Sequence, residues 1–302
     1  MRAYSPSYKV SASGLGRLAL TALVGGAVIG AAVGLLSRWI YLVLVFPVLM
    51  GIGARILIAA AVKDGKVRNP ILAALFAVLM AVTLYGTLHY VRYLLFLGDA
   101  RVVLAKTLQQ QYLSVNEIGM RKLLEEWLVN ETGVRGFPGY LALTAKQGLR
   151  MGGFLSSGSY AVSSGKSLFS GVWVWLYWLA ELTGIAALAV WAAVPPAREP
   201  FCEHCQRWIR RGDHLGSVPL ARGGEFLRLL SAGHVAEARA MLSREEVPAP
   251  SLEVYLQHCD TCETGDPVLN VESAIFYYGK LKFKPLVHAS VTREEAQALA
   301  AS

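Results

Sequence analysis

Residues 18–62 read LALTALVGGAVIGAAVGLLSRWIYLVLVFPVLMGIGARILIAAAV, with Arg38 and Arg55 as the only charges. One helix needs about 20 apolar residues to cross the hydrocarbon layer of a bilayer. The run is twice that length, and Ser37-Arg38 interrupts it near the middle. It predicts two spans, Leu18–Leu36 and Trp39–Val62, joined by a tight turn. The rest of the chain has the same character. Of 302 residues, 54% are hydrophobic and 17% charged, with mean hydropathy +0.43; a soluble domain has about 25% charged residues. The composition excludes a disordered chain, and four cysteines are too few for a disulfide scaffold.

Upstream, residues 1–17 form a polar tail with Arg2, Lys9 and Arg17. A cleaved signal peptide is the competing reading of 18–36. Its apolar stretch is long and another span follows at once, which favours a retained helix. Downstream, Lys63-Asp64-Gly65-Lys66-Val67-Arg68-Asn69-Pro70 breaks the pattern with charge, Gly and a Pro suited to a helix start. A third span is predicted over 71–97, completing three helices within 18–97. A fourth covers 172–194, with Trp173, Trp175 and Trp178 near its entry and Trp191 near its exit, as an aromatic belt places them. Pro195-Pro196 closes it. Between the third and fourth spans, over 98–171, Ser114 and Glu117 form a capping-box pattern. Ile118, Leu124, Trp127 and Leu128 follow at helical spacing up to Gly133. A second amphipathic helix starts near Pro138 and includes Tyr140, Leu141 and Leu149. Both suit either the membrane surface or packing on the bundle. Six Gly and seven Ser over 148–171 read as a connector.

The net charge of +8 is uneven. Residues 1–197 hold 17 Lys/Arg and 7 Asp/Glu, whereas residues 198–302 hold 12 and 14. The basic excess lies with the spans, where short positive loops set orientation and meet anionic headgroups. The basic tail and the trio Lys63, Lys66 and Arg68 stand against Arg38 alone. They predict an integral protein of a plasma or bacterial inner membrane with both termini cytoplasmic. The eight Lys/Arg of 98–171 oppose that orientation, but segments longer than about 60 residues follow the rule poorly. The polar region 198–302 has no basic excess, which argues against nucleic acid as a partner.

All four cysteines fall in that polar region, as Cys202-Glu203-His204-Cys205 and Cys259-Asp260-Thr261-Cys262. Each C-x-x-C turn aims two thiolates at one point, and two turns complete a tetrahedral shell suited to Zn2+ with sulfur at about 2.3 Å. The same ligands accept iron. The pattern resembles the double knuckles of zinc-ribbon and rubredoxin-like proteins, over 201–205 and 258–265 only. That resemblance implies a structural metal in a closed shell, without a catalytic role. The small domain is expected to need its metal to fold. The spacing departs from the family: 53 residues separate the pairs, where zinc ribbons have about 15–20. The insertion has to fold as something of its own, read as helices over 225–230 and 235–242 around Ser231-Ala232-Gly233. After the second pair, β-prone runs over 268–278 and 281–291 flank Gly279-Lys280 as a hairpin. Thr292 with Glu295 opens a terminal helix. A dithiol redox centre is the rival use of these cysteines, though no βαβ pattern precedes Cys202. Covalent haem would require His where Gln206 and Glu263 stand.

Within the spans, Gly26, Gly30 and Gly34 form a G-x-x-x-G-x-x-x-G stripe that another helix can approach closely, in the same bundle or in a second copy. Arg55, His89, Arg92 and Glu181 are ionisable groups at membrane depth, where charges are usually paired or functional. Antiparallel threading brings His89, Arg92 and Glu181 into one leaflet, so Glu181 is expected near Arg92 or His89, while Arg55 snorkels. Gly165-Lys166-Ser167 imitates a phosphate loop, but Tyr160 stands where glycine is required. Asn130-Glu131-Thr132 matches the glycosylation acceptor pattern, which is common by chance. The expected architecture is an all-α transmembrane bundle of about four helices plus a small α+β zinc-ribbon-like domain over 198–302. The expected role is a non-enzymatic scaffold or assembly subunit, embedded in the lipid bilayer, that binds a protein or a second copy through its metal-stabilised domain. A transporter or channel subunit using Glu181, and a membrane-bound thiol-redox protein, are the alternatives.

Overall fold

The computed structural model describes residues 1–39, 45–110, 117–148, 170–209, 212–245, 247–259, 261–262 and 267–300. Most of the predicted 148–171 connector, the phosphate-loop lookalike and the Ser114 cap lie outside the described residues. The chain divides into two units, one of Val10–Pro196 and one that joins Met1–Lys9 to Ala197–Ser302.

The first unit is helical. Four of its helices are long and apolar enough to cross a membrane: α1 (Ala12–Leu36), α2 (Val45–Asp64), α3 (Pro70–Gln110) and, after two shorter ones, α6 (Val172–Ala197). The shorter helices are α4 (Glu117–Thr132) and α5 (Gly136–Gln147). Side chains fix the starts. Ser11 Oγ accepts the Gly14 N–H at 3.0 Å and caps α1. Asn69 Oδ1 accepts from the N–H groups of Ile71 and Leu72, both at 3.0 Å. Pro70 follows in the first turn of α3, where its missing N–H costs no helical bond. Two helices outrun the apolar windows that announce them. Helix α1 begins at Ala12, inside the predicted polar tail, and α3 passes Leu97 to reach Gln110. Hydropathy marks hydrocarbon depth, whereas a nucleated helix propagates until a cap or a breaker stops it. In α6 the pair Pro195 and Pro196 sits within the last turn, and the helix stops at Ala197.

The glycine stripe faces α3 of the same chain. Gly26, Gly30 and Gly34 are all buried. A Cβ on Gly30 would lie 2.2 Å from the Leu84 carbonyl oxygen, one on Gly26 would lie 2.9 Å from that of Met80, and one on Gly34 2.9 Å from Val91 Cβ. The two backbones meet with no room for a methyl group, the packing that small residues permit between membrane helices. Helices α4 and α5 pack on α3 near the end of its predicted span: Phe96 shares a buried cluster with Leu128, Tyr140 and Leu143. The Phe96 and Tyr140 rings lie 5.3 Å apart.

The second unit is a five-stranded antiparallel sheet in the order β1-β7-β6-β5-β4, with a separate two-stranded hairpin. Its strands are β1 (Arg2–Ala3), β4 (Asp213–Pro219), β5 (Ser251–Gln257), β6 (Val268–Tyr277) and β7 (Lys280–Ser290); the hairpin is β2 (Phe201–Cys202) with β3 (Arg207–Trp208). Helices α7 (Leu220–Ala232), α8 (Val235–Ala240) and α9 (Arg293–Ala300) complete it. Alternate residues of β5, Leu252, Val254 and Leu256, join Phe226, Leu230, Ala238 and Leu299 in one core. The insertion between the cysteine pairs therefore contributes two strands of the five-stranded sheet, β4 and β5, as well as the two expected helices. Gly233 ends α7 at φ 82°. The β6–β7 turn is Tyr278-Gly279, one residue earlier than the sequence suggests; both residues have positive φ, 48° and 71°, as a type I′ turn requires. The terminal capping box forms: Glu295 N–H donates to Thr292 Oγ1 at 3.2 Å, and Thr292 N–H to Glu295 Oε2 at 2.8 Å. The predicted polar tail supplies β1, which pairs Arg2 with Ser290 and Ala3 with Ala289. The sheet unit thus draws on both ends of the chain, not on 198–302 alone.

Gly30→Ala is expected to destabilise the detergent-solubilised protein by about 1–3 kcal/mol, because the new methyl must push two backbones apart. Gly86→Ala, with nothing within 4 Å of its Cβ position, is expected to be neutral or stabilising. Thermal unfolding midpoints compare the two, and equal midpoints would refute the packing of α1 on α3.

Candidate metal centre

The first C-x-x-C is folded by its own hairpin. Phe201 pairs with Trp208 and Cys202 with Arg207. The Phe201 and Trp208 rings meet edge to face at 5.0 Å. Gln206 takes φ +53° to close the turn. Inside it the Cys205 N–H donates to Cys202 Sγ at 3.4 Å. Cys259 and Cys262 arrive on the connection from β5 to β6. All four Sγ atoms lie within 4.8 Å of one another. Cys202 and Cys262, from different knuckles, are 3.4 Å apart. Sulfurs placed tetrahedrally at about 2.3 Å from an ion are about 3.8 Å from each other, so the four thiols have the dimensions of a metal shell. They are free thiols, with no disulfide among them. His258 is not part of this group; its Nδ1 lies 3.9 Å from Asp213 Oδ2.

The thiols differ in acidity. The hydrogen bond shared with Cys262, then burial, pushes Cys205 up to about 12. Burial raises Cys202 despite the N–H groups that point at it. The Thr261 N–H holds Cys259 below the ordinary thiol range against its desolvation. A divalent ion at the centre would displace the thiol protons, because coordination needs the thiolate form.

The apolar core of the sheet unit contains none of the four cysteines. A metal held by the four thiols would tie the two C-x-x-C turns together outside that core. The insertion supplies most of that core, Phe226, Leu230, Leu252 and Val254 among it.

The intramembrane groups are distributed as follows. Glu181 and His89 are 8% and 7% exposed. The Glu181 carboxylate accepts hydrogen bonds from the Tyr85 hydroxyl at 2.7 Å and from the Tyr177 hydroxyl. The His89 ring packs against Tyr85 at 4.7 Å and Trp178 at 4.9 Å, and its Nε2 has no hydrogen-bond partner among the described residues. Arg92 Nε donates to Ser37 Oγ at 3.1 Å. The Arg55 guanidinium lies 4.5 Å from the centre of the Trp191 ring, a cation–π contact. The tyrosines were the missed element, although a helical signal was there: Tyr177 precedes Glu181 by one turn, as Tyr85 precedes His89.

A polar cluster on the open face of the sheet was also missed. Glu253 accepts from Ser217 Oγ and Ser251 Oγ, both at 2.7 Å, and lies 2.8 Å from His214 Nε2. Burial pushes its carboxyl up, but these hydrogen bonds outweigh burial and hold it below the usual range. Both serine hydroxyls point at the carboxylate rather than at the imidazole, so neither is set up as a nucleophile. Comparison with protein-family models, curated proteins and solved structures returned no match.

Because thiol protons must leave, affinity for Zn2+ is expected to fall with falling pH between 8 and 6, about tenfold per unit for each proton displaced. Competition against a chromophoric chelator measures this, and a pH-independent affinity would contradict thiolate ligation. On metal removal, amides over 201–208 and 259–262 are expected to lose protection from hydrogen exchange while β5 and β6 keep theirs. Collapse of the whole sheet would show that the core does not stand alone.

Proposed function

We propose that this protein is a scaffold or assembly subunit of a plasma or bacterial inner membrane, carrying a metal-stapled domain that binds another protein. The convergence of four thiols carries this reading. A complete thiolate shell leaves no position for water or substrate, so the ion contributes rigidity rather than chemistry. Zn2+ is the ion the shell fits best, with iron as the other ion such ligands take. Both termini are assigned to the cytoplasm on the basic residues beside the first two spans. The pairing of β1 with β7 supports an even number of crossings, since residues 2–3 and 289–290 must share one aqueous compartment. Four helices meet that condition.

A second reading, a transporter or channel subunit, is favoured by one observation. Glu181 is buried at membrane depth, and Tyr85, which donates to it, packs against His89, whose Nε2 is unpartnered among the described residues. Buried ionisable groups in spans often mark ion pathways.

In sealed inside-out vesicles, epitopes fused to the two ends of the chain are expected to be accessible together; access to only one would break the β1–β7 pairing. Purified from its own membranes, the wild-type chain is expected to carry a stoichiometric protein partner that Cys259→Ser loses while integrating normally. A wild-type chain that carries none, together with ion flux in proteoliposomes abolished by Glu181→Gln, would replace the scaffold reading with the transport one.

A further inference from the structure

Beyond Ala274, the last residue of β6 with a partner on β5, strands β6 and β7 continue by themselves. Ile275 pairs with Lys282, Phe276 with Leu281 and Tyr277 with Lys280. The result is a two-stranded ribbon projecting past the sheet edge. Directly paired residues share a face, so Phe276, Leu281 and Phe283 line one side. Lys280, Lys282 and Lys284 line the other with Tyr277. Phe276 is 63% exposed and Tyr278, at the tip, 89%. The Lys282 ammonium lies 4.3 Å from the centre of the Tyr277 ring.

The charge is as uneven as the hydrophobicity. No acidic residue occurs between Glu272 and Glu294, while the remainder of 198–302 holds eight Lys/Arg against 14 Asp/Glu. A bare ribbon is marginally stable in water, and an apolar patch of this kind marks a surface that something covers. Lysines and Pro285 also protect an open strand edge from pairing, but edge protection does not call for exposed Phe276, Tyr278 and Phe283. The chain brings a fitting surface with it. Helix α6 ends at Ala197 and β2 begins at Phe201. Three residues of tether hold the sheet unit beside whatever bilayer α6 crosses, at a high effective concentration.

We propose that the β6–β7 ribbon is a peripheral anchor that lies on an anionic bilayer surface. This rests on the membrane reading of the four helices and is independent of a protein partner. Phe276, Leu281 and Phe283 enter the interfacial layer, and Tyr277 and Tyr278 sit at headgroup level, where aromatic rings with a polar end concentrate. Lys280, Lys282 and Lys284 reach anionic headgroups by snorkelling. The acidic remainder of the unit is repelled by the same surface, which selects the ribbon as the face that docks.

The test uses the full chain in nanodiscs of phosphatidylcholine alone or with added phosphatidylglycerol. Acylation of Lys280, Lys282 and Lys284 is followed by mass spectrometry. With phosphatidylglycerol, these lysines are expected to react at least fivefold more slowly than without it, and to regain the faster rate in high salt. A variant combining Phe276→Ser, Leu281→Ser and Phe283→Ser is expected to react at the fast rate in both discs while still binding one zinc, which reports that its domain is folded. Equal rates in both lipids would overturn the proposal. So would protection that depends on protein concentration, which indicates a second copy, or protection that arises only with added cell extract, which indicates a protein partner. Incorporation into discs is read separately; a chain that fails to incorporate removes both the anchor and the membrane reading.

Discussion

Hydrocarbon offers no hydrogen-bond partner to a peptide group, and most of this molecule follows from that constraint. Each crossing must satisfy its backbone internally, so each is a helix. Lipid tails are as apolar as leucine, which leaves close fit as the main force that brings the helices together. The stripe of Gly26, Gly30 and Gly34 against Met80, Leu84 and Val91 supplies that fit. Polar groups in the same medium must find local partners. Glu181 takes two tyrosine hydroxyls, and Arg55 takes the face of Trp191.

The sheet unit solves a different problem, that of a small domain joined to a membrane bundle at both ends. Its core comes largely from β4–α7–α8–β5, a segment inserted between the two C-x-x-C turns, with β6 and α9 completing it, and its edge is extended by β1 from the far end of the chain. The two devices act at different places. The core holds sheet to helices, and the thiol cluster ties the turn just after α6 to the β5–β6 connection. The division explains how the knuckles tolerate an insertion far longer than a ribbon normally has between its cysteine pairs.

Much of this was legible because the signals are periodic or chemically specific. Runs of apolar residues announce spans, C-x-x-C pairs announce converging thiols, and Thr292 with Glu295 announces a cap. The unread parts share one property, a dependence on residues distant in sequence. Arg2-Ala3 is too short for any period, and becomes a strand only because Ala289 and Ser290 present an edge. Strands β4 and β5 were hidden by the helices they flank. Depth alone brings Glu181 to the level of Arg92 and His89, whereas the hydrogen bonds from Tyr85 and Tyr177 depend on how the helices are rotated. The glycine stripe was recognised as a packing surface, yet only the structure chooses between α3 and a second copy.

The central claim is that Cys202, Cys205, Cys259 and Cys262 form one closed metal shell in a membrane-anchored chain. X-ray absorption spectroscopy of the purified full-length protein, with metal content measured on the same sample, addresses it most directly. The account predicts one zinc per chain with four sulfur neighbours at about 2.3 Å and no oxygen or nitrogen in the first shell. A shell with an oxygen or nitrogen ligand, or a metal-free protein with its cysteines in disulfides, would contradict it.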